Sequence, residues 1–166
     1  YILAKMEGAD PHKCATMLIW HDLPEARIGD LHRNASKYLT NKQQAEESAL
    51  HDQVTDVGFW DEIEWLFHEY EYGTTKEGII AKDADYLEQA FQARKYQQSG
   101  YSGTDRWITN IGARLQTESA KKLFEELQVK PCMRFEHIED FETHSTSTHR
   151  RYTGGIQLLD DPAQFE

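Results

Sequence analysis

Cysteine is scarce in this sequence: only Cys14 and Cys132 occur among 166 residues. They lie far apart, and Cys14 sits in an apolar run beside Ala15 and Leu18, where a buried free thiol is expected rather than a disulfide. This points to a reducing, cytoplasmic compartment. Long apolar runs are lacking as well. None approaches the roughly 20 residues of a membrane span, and nothing resembles a signal peptide, so a soluble protein without a membrane partner is expected. Positive charge is short: 18 Lys and Arg against 29 Asp and Glu give a formal net charge of -11, and apart from His149-Arg150-Arg151 no basic cluster offsets it. Binding to polymeric nucleic acid is therefore disfavoured. A small phosphorylated ligand is not excluded, because a bound cation can supply positive charge locally. Strand signals are almost absent before residue 130, where alternation never lasts five positions.

What remains is an ordinary globular composition, 39% hydrophobic and 28% charged, on a chain long enough for one domain and short for two. Helix signals dominate. Tyr1 to Glu7 has helical composition but no N-cap and no initiating Met, so it reads as the middle of a helix that Gly8 ends. Asp10 caps, and Pro11 opens, a helix expected to reach about Leu23. On it Ala15, Leu18, Ile19 and Asp22 form one stripe, with Cys14 and His21 at its margin. Pro24 should break that helix and leave Glu25 at the start of a segment ending at Gly29. Thr40-Asn41-Lys42-Gln43 and Thr74-Thr75-Lys76-Glu77 both have capping-box spacing. Helices are expected from the first box to about Val57, over 59–70, from Thr75 to about Gln97, and near 105–113 and 117–127. After Pro131 the character changes, so the sequence divides into a helical domain over 1–129 and a tail or small extension over 130–166.

Two His-Asp dipeptides occur. His51-Asp52 belongs to an acidic helix face that is most simply solvated. His21-Asp22 closes the most apolar helix, where two adjacent inward ionisable groups are costly without a cation or a partner base. The run Ile19-Trp20-His21-Asp22-Leu23-Pro24-Glu25-Ala26-Arg27-Ile28-Gly29-Asp30-Leu31 resembles the signature of the HD-domain hydrolases, within them the 5′-deoxynucleotidase branch. Ala81-Lys82-Asp83-Ala84-Asp85-Tyr86-Leu87-Glu88 resembles that branch's second signature, and together the motifs anchor the resemblance over roughly residues 1–128.

The resemblance implies an all-α, single-domain helical bundle of the HD type and hydrolysis of the phosphomonoester of (deoxy)nucleoside 5′-monophosphates. One divalent metal would be held by His21, Asp22, Asp85 and an upstream His expected before residue 1. A mixed imidazole and carboxylate set suits Mn, Co, Fe or Zn better than Ca. The resemblance further assigns Glu25 to orienting or deprotonating the attacking water, and Asp30 and Lys82 to the substrate, Asp30 through a sugar hydroxyl. Periodicity disagrees at one point: the stripe Ile80, Ala84, Leu87, Phe91 places Asp83, rather than Asp85, nearer the core. The motif favours Asp85. Glu88 is then either support for Asp85 or a plain surface carboxylate. Trp60, Trp65, Phe67 and Tyr70 read as core or dimer surface, consistent with the homodimers common in this branch. The tail histidines His137, His144 and His149 lack ligand spacing. Two rival readings stand beside the nucleotidase: a phosphohydrolase or phosphodiesterase on another small phosphate, and an inert nucleotide-sensing or interaction module.

Overall fold

A computed structural model describes residues 1–130; the expected extension after them, with its histidines, lies outside the described residues. Helices α1 (Ile2–Glu7), α2 (Pro11–Trp20), α3 (Glu25–Ile28), α4 (Arg33–Ser36), α5 (Lys42–Val54), α6 (Trp60–Tyr72), α7 (Lys76–Gln98), α8 (Asp105–Gly112) and α9 (Glu118–Val129) follow one another. Among the described residues there is no strand, and no helix is long and apolar enough to cross a membrane.

The starts of these helices follow from their caps. Asp10 Oδ1 accepts from His12 N at 2.9 Å and Lys13 N at 3.1 Å, with Pro11 in the first turn. Thr75 caps α7 by accepting from Gly78 N at 3.1 Å. The expected capping boxes do not form. Asn41 caps α5 without a side-chain bond. Glu77 Oε1 accepts from Asp10 N at 3.2 Å, so a residue expected to close a local box instead ties α7 to the start of α2.

The helix α7 is the axis of the fold, packed by α1, α2, α6, α8 and α9. Its small residues permit this: Ala81, Ala90 and Ala93 are buried, and a Cβ at Gly78 would lie 2.5 Å from the Glu69 carbonyl oxygen of α6. Around it Met17, Leu66, Tyr70 and Ala81 form one apolar cluster, and Leu50, Val54, Ile63 and Phe67 another. Each fully buried Met, Leu or Phe contributes about 1.5–3 kcal/mol.

Two details differ from the sequence expectation. First, α2 stops at Trp20, a turn over 21–24 precedes α3, and the buried face of α2 is Pro11, Cys14 and Met17, while Ile19 is 69% exposed. The reason is that α6 and α7 approach α2 on the Met17 side, and the position of a neighbour is not encoded in the period of one helix. His21, four residues after Met17, continues the buried face, and Asp22 falls at its rim. Second, α4 forms between Gly29 and Thr40, where the sequence reading assigns no helix; His32 Nδ1 accepts from Ala35 N at 3.1 Å and caps it.

Asp83 is fully buried, as periodicity indicates, and its role is architectural. It accepts from Gln116 N at 3.0 Å, Thr117 N at 2.7 Å and Thr117 Oγ1 at 2.7 Å, which seats the N-terminus of α9 against α7. Removing the carboxylate leaves these donors unsatisfied in a dry site. Asp83→Ala is expected to lower stability by about 3 kcal/mol, read as a shift of the urea midpoint with an unchanged slope. A loss below about 0.5 kcal/mol would show that the cap is dispensable.

Candidate functional site

A cleft of about 600 Å³ opens where the end of α2, the start of α3 and the segment after it face α5, α6 and α7. The motif residues His21, Asp22, Glu25, Asp30 and Asp85 all line it. The fold thus brings together residues that are up to 64 positions apart in sequence. Lys82 is placed differently: its ammonium lies 4.3 Å over the Tyr70 ring centroid and 3.7 Å from Glu71 Oε1, and it reaches the cleft through these two lining residues.

His21 organises the centre. Its Nδ1 lies 2.8 Å from the Leu18 carbonyl oxygen, which can only accept, so Nδ1 carries the proton. In the neutral ring Nε2 is then a bare lone pair, and it lies 3.1 Å from Asp22 Oδ2 and 4.0 Å from Asp85 Oδ1. Three electron-rich atoms facing one another repel unless a proton or a cation sits among them. Asp85 is held from behind by Tyr70 Oη, which donates at 3.2 Å, and by Gln89 Nε2, which donates at 3.2 and 3.1 Å.

The charges on the cleft wall reinforce this. Asp22, Glu25, Asp30, Glu46, Glu71, Asp85 and Glu88 contribute carboxylates, and Lys42 is the lining lysine. Lys42 is engaged by Glu46 at 2.5 Å. Desolvation in the cleft pushes the Asp22 carboxyl above its usual range; His21 opposes this, and the charges of Asp85 and Asp30 add to it. Glu25 is raised likewise, by desolvation first and then by Asp22 and Asp30. Burial, followed by the Asp85 charge, keeps the Tyr70 phenol protonated and donating. Among the described residues no group of three or more His, Cys, Asp or Glu is gathered at coordinating distances. The donor types nevertheless fit a divalent transition metal: one imidazole nitrogen of fixed tautomer beside two carboxylates.

Several cleft residues are not evident from the motifs. Gln89 is four residues beyond Asp85 on α7, a spacing that could have suggested it. Tyr70 reads as core from its spacing and is buried, but its hydroxyl serves Asp85. Lys42 and Glu46 pair across one turn, and Trp107 arrives from α8; neither carries a sequence signal tied to the motifs. Glu88 lines the cleft as an exposed residue, while its neighbour Gln89 makes the contact to Asp85. The other dipeptide is peripheral, as its acidic context suggests: His51 pairs with Glu64 at 2.6 Å and Asp52 with Arg27 at 3.3 Å.

The family model of the HD domain matches residues 1–128. The chain therefore belongs to the HD-domain family. It is 30% identical over 93 residues to the Danio rerio 5′-deoxynucleotidase HDDC2, an alignment covering 55% of this chain and 46% of that protein. It is 29% identical over 103 residues to the Schizosaccharomyces pombe 5′-deoxynucleotidase hdd1, covering 58% and 52% respectively. The chain thus spans about half the length of the curated relatives it matches. A conserved hypothetical protein from Pyrococcus furiosus shares the fold with a TM-score of 0.62 and 34% identity, over 76% of this chain and 71% of that one. These likenesses support the branch that the two motifs indicate.

Asp85 and Asp83 differ in a way that stability measurements resolve. Asp85→Asn keeps the shape that Tyr70 and Gln89 hold but removes one charge from an acidic cleft. In chelator its thermal midpoint is expected to match or exceed that of the wild type. A fall of several degrees would make Asp85 a structural group like Asp83.

Proposed function

We propose that this protein is a metal-dependent phosphohydrolase acting on the phosphomonoester of (deoxy)nucleoside 5′-monophosphates. The observation that carries the reading is the His21 lone pair directed at Asp22 and Asp85. The names of the Danio rerio and Schizosaccharomyces pombe relatives support the substrate class. His21, Asp22 and Asp85 would hold one divalent metal of the Mn, Fe, Co or Zn type. Bound there, it would supply charge neutralisation for the phosphoryl oxygens and acidify water near neutral pH.

The chain's own groups account for the remaining requirements. The Leu18 carbonyl fixes the His21 tautomer, and Tyr70 with Gln89 orients Asp85. Glu25 enters from the first turn of α3, three residues past Asp22, so it can take a proton from the attacking water without belonging to the donor set. Asp30 lines the cleft wall after Gly29 and would accept from a sugar hydroxyl. Lys82 contributes positive charge behind Tyr70 and Glu71. The reading includes a homodimer that uses exposed aromatics of α6, where Trp65 and Tyr72, on one side of the helix, are 54% and 56% exposed. Sedimentation of the native protein is expected to give twice the monomer mass, and Trp65→Glu to shift it toward monomer.

Phosphate release from nucleoside 5′-monophosphates by the native protein is expected to require added divalent metal and to stop in chelator. Full turnover in excess chelator would overturn the assignment, and nucleotide binding without turnover would favour an inert sensor. Glu25→Ala is expected to lower kcat by about 10²- to 10⁴-fold with little change in metal or substrate affinity. Asp22→Ala should lose metal and activity together, seen by metal analysis after dialysis. Equal behaviour of the two variants would refute the role given to Glu25.

A further inference from the structure

Next to the cleft lies a second cavity of about 840 Å³, bounded by the 31–37 segment, Lys42 and α8. Leu31, Lys42, Gln89 and Trp107 line both spaces, so a ligand anchored in one can extend into the other. Their charges are opposite in sign. The cleft wall is dominated by carboxylates, whereas the second cavity is lined by Lys37, Lys42, Arg106 and Arg114 and by no Asp or Glu. This reversal occurs in a chain whose acids outnumber its bases, 29 to 18.

Little in the described residues neutralises these cations. Lys42 has Glu46, but Lys37 reaches only the amide oxygen of Asn34, at 3.4 Å, and Arg114 lies 5.5 Å from the Tyr86 ring centroid. Among the described residues no carboxylate forms an ion pair with Lys37, Arg106 or Arg114. A neutral nucleobase needs a flat apolar face and a few hydrogen bonds, which Trp107, Leu31 and Asn110 offer. It gives three further cations nothing to neutralise. Like charges around a concave wall focus a positive potential, and guanidinium groups match carboxylate and phosphate oxygens in pairs.

Resting on the phosphohydrolase reading, we propose that the preferred substrate is a nucleotide bearing a second anionic group remote from the scissile phosphate, which the basic cavity receives. That group is a phosphoryl on the sugar or a carboxylate on the base. The reaction is unchanged. Water adds to the 5′-phosphorus, the P–O5′ bond breaks, the 5′-oxygen takes a proton, and the second anionic group leaves with the nucleoside product.

The test compares adenosine 5′-monophosphate, adenosine 3′,5′-bisphosphate and N6-succinyladenosine 5′-monophosphate on the metal-replete native protein. At least one doubly anionic substrate is expected to show a kcat/KM at least about tenfold higher than the monophosphate, mainly through KM, with the advantage shrinking as salt rises. Which compound gains identifies the source of the anion. In Arg106→Gln/Arg114→Gln, and separately in Lys37→Gln, the ratio between the two substrate classes should fall toward one. Turnover of the monophosphate with no gain for either doubly anionic compound, or a gain that survives the arginine changes, overturns the proposal. If no compound is turned over, the phosphohydrolase reading fails, and calorimetric binding of the same three compounds decides the cavity independently. Tighter binding of a doubly anionic compound, lost in the arginine variant, sustains it, and equal binding ends it.

Discussion

The packing of α7 on several sides at once is the constraint on which the site depends. A helix buried against α1, α2, α6, α8 and α9 has few solvent-facing positions, so its polar residues must find partners inside the protein. Asp83 and Asp85 are two residues apart and point about 200° from each other around the axis. One meets the exposed N–H groups at the start of α9, and the other meets His21 in the cleft. The packing by five helices fixes the rotation of α7 and thereby the side to which each aspartate turns.

This arrangement explains why sequence periodicity and motif disagreed over the two aspartates. Periodicity measures which residue faces the core, and Asp83 does. The motif records which residue faces the cleft, and Asp85 does. Much of the rest was legible: the helix order, the cap at Asp10 and the break before Glu25 follow from local chemistry and short spacing, and that His21, Asp22, Glu25 and Asp30 share one site is what the resemblance to the HD-domain signature implied. The burial of the Cys14 thiol was expected, but that of Met17 in place of Ile19 was not legible, because it depends on where α6 and α7 lie. The partners of Asp85 were hidden for the same reason. Tyr70 precedes it by fifteen residues on another helix, and only the packed fold turns that aromatic stripe into a hydrogen-bond donor.

The acidic residues of this protein fall into two groups by what surrounds them. Asp10 and Glu7 receive hydrogen bonds, from Lys13 and His12 in the first case and from Ser119 in the second, and these hold their carboxyls below the ordinary range. Buried Glu69 meets Lys13 at 2.6 Å and accepts from the Thr75 hydroxyl, and Asp83 has its donors at α9. These carboxylates take their donors from the protein itself, Glu69 through Oε1 alone while its buried Oε2 has no hydrogen-bond partner among the described residues; Asp10 caps α2, and Glu7, Glu69 and Asp83 tie helices together. Asp22 and Glu25 are the reverse case, raised by desolvation and by one another's charge. Such crowding opposes folding once both carboxyls are ionised, because the lost hydration and the mutual repulsion weigh on the folded state. The carboxylates that the fold satisfies are therefore its struts, and those it leaves crowded are the ones a cation would stabilise. By that criterion Asp22, beside His21, is one of the carboxylates a cation would stabilise. Glu25 is crowded as well, by Asp22 and Asp30, and a carboxyl raised in this way is the stronger base that the proton-accepting role proposed for it would require.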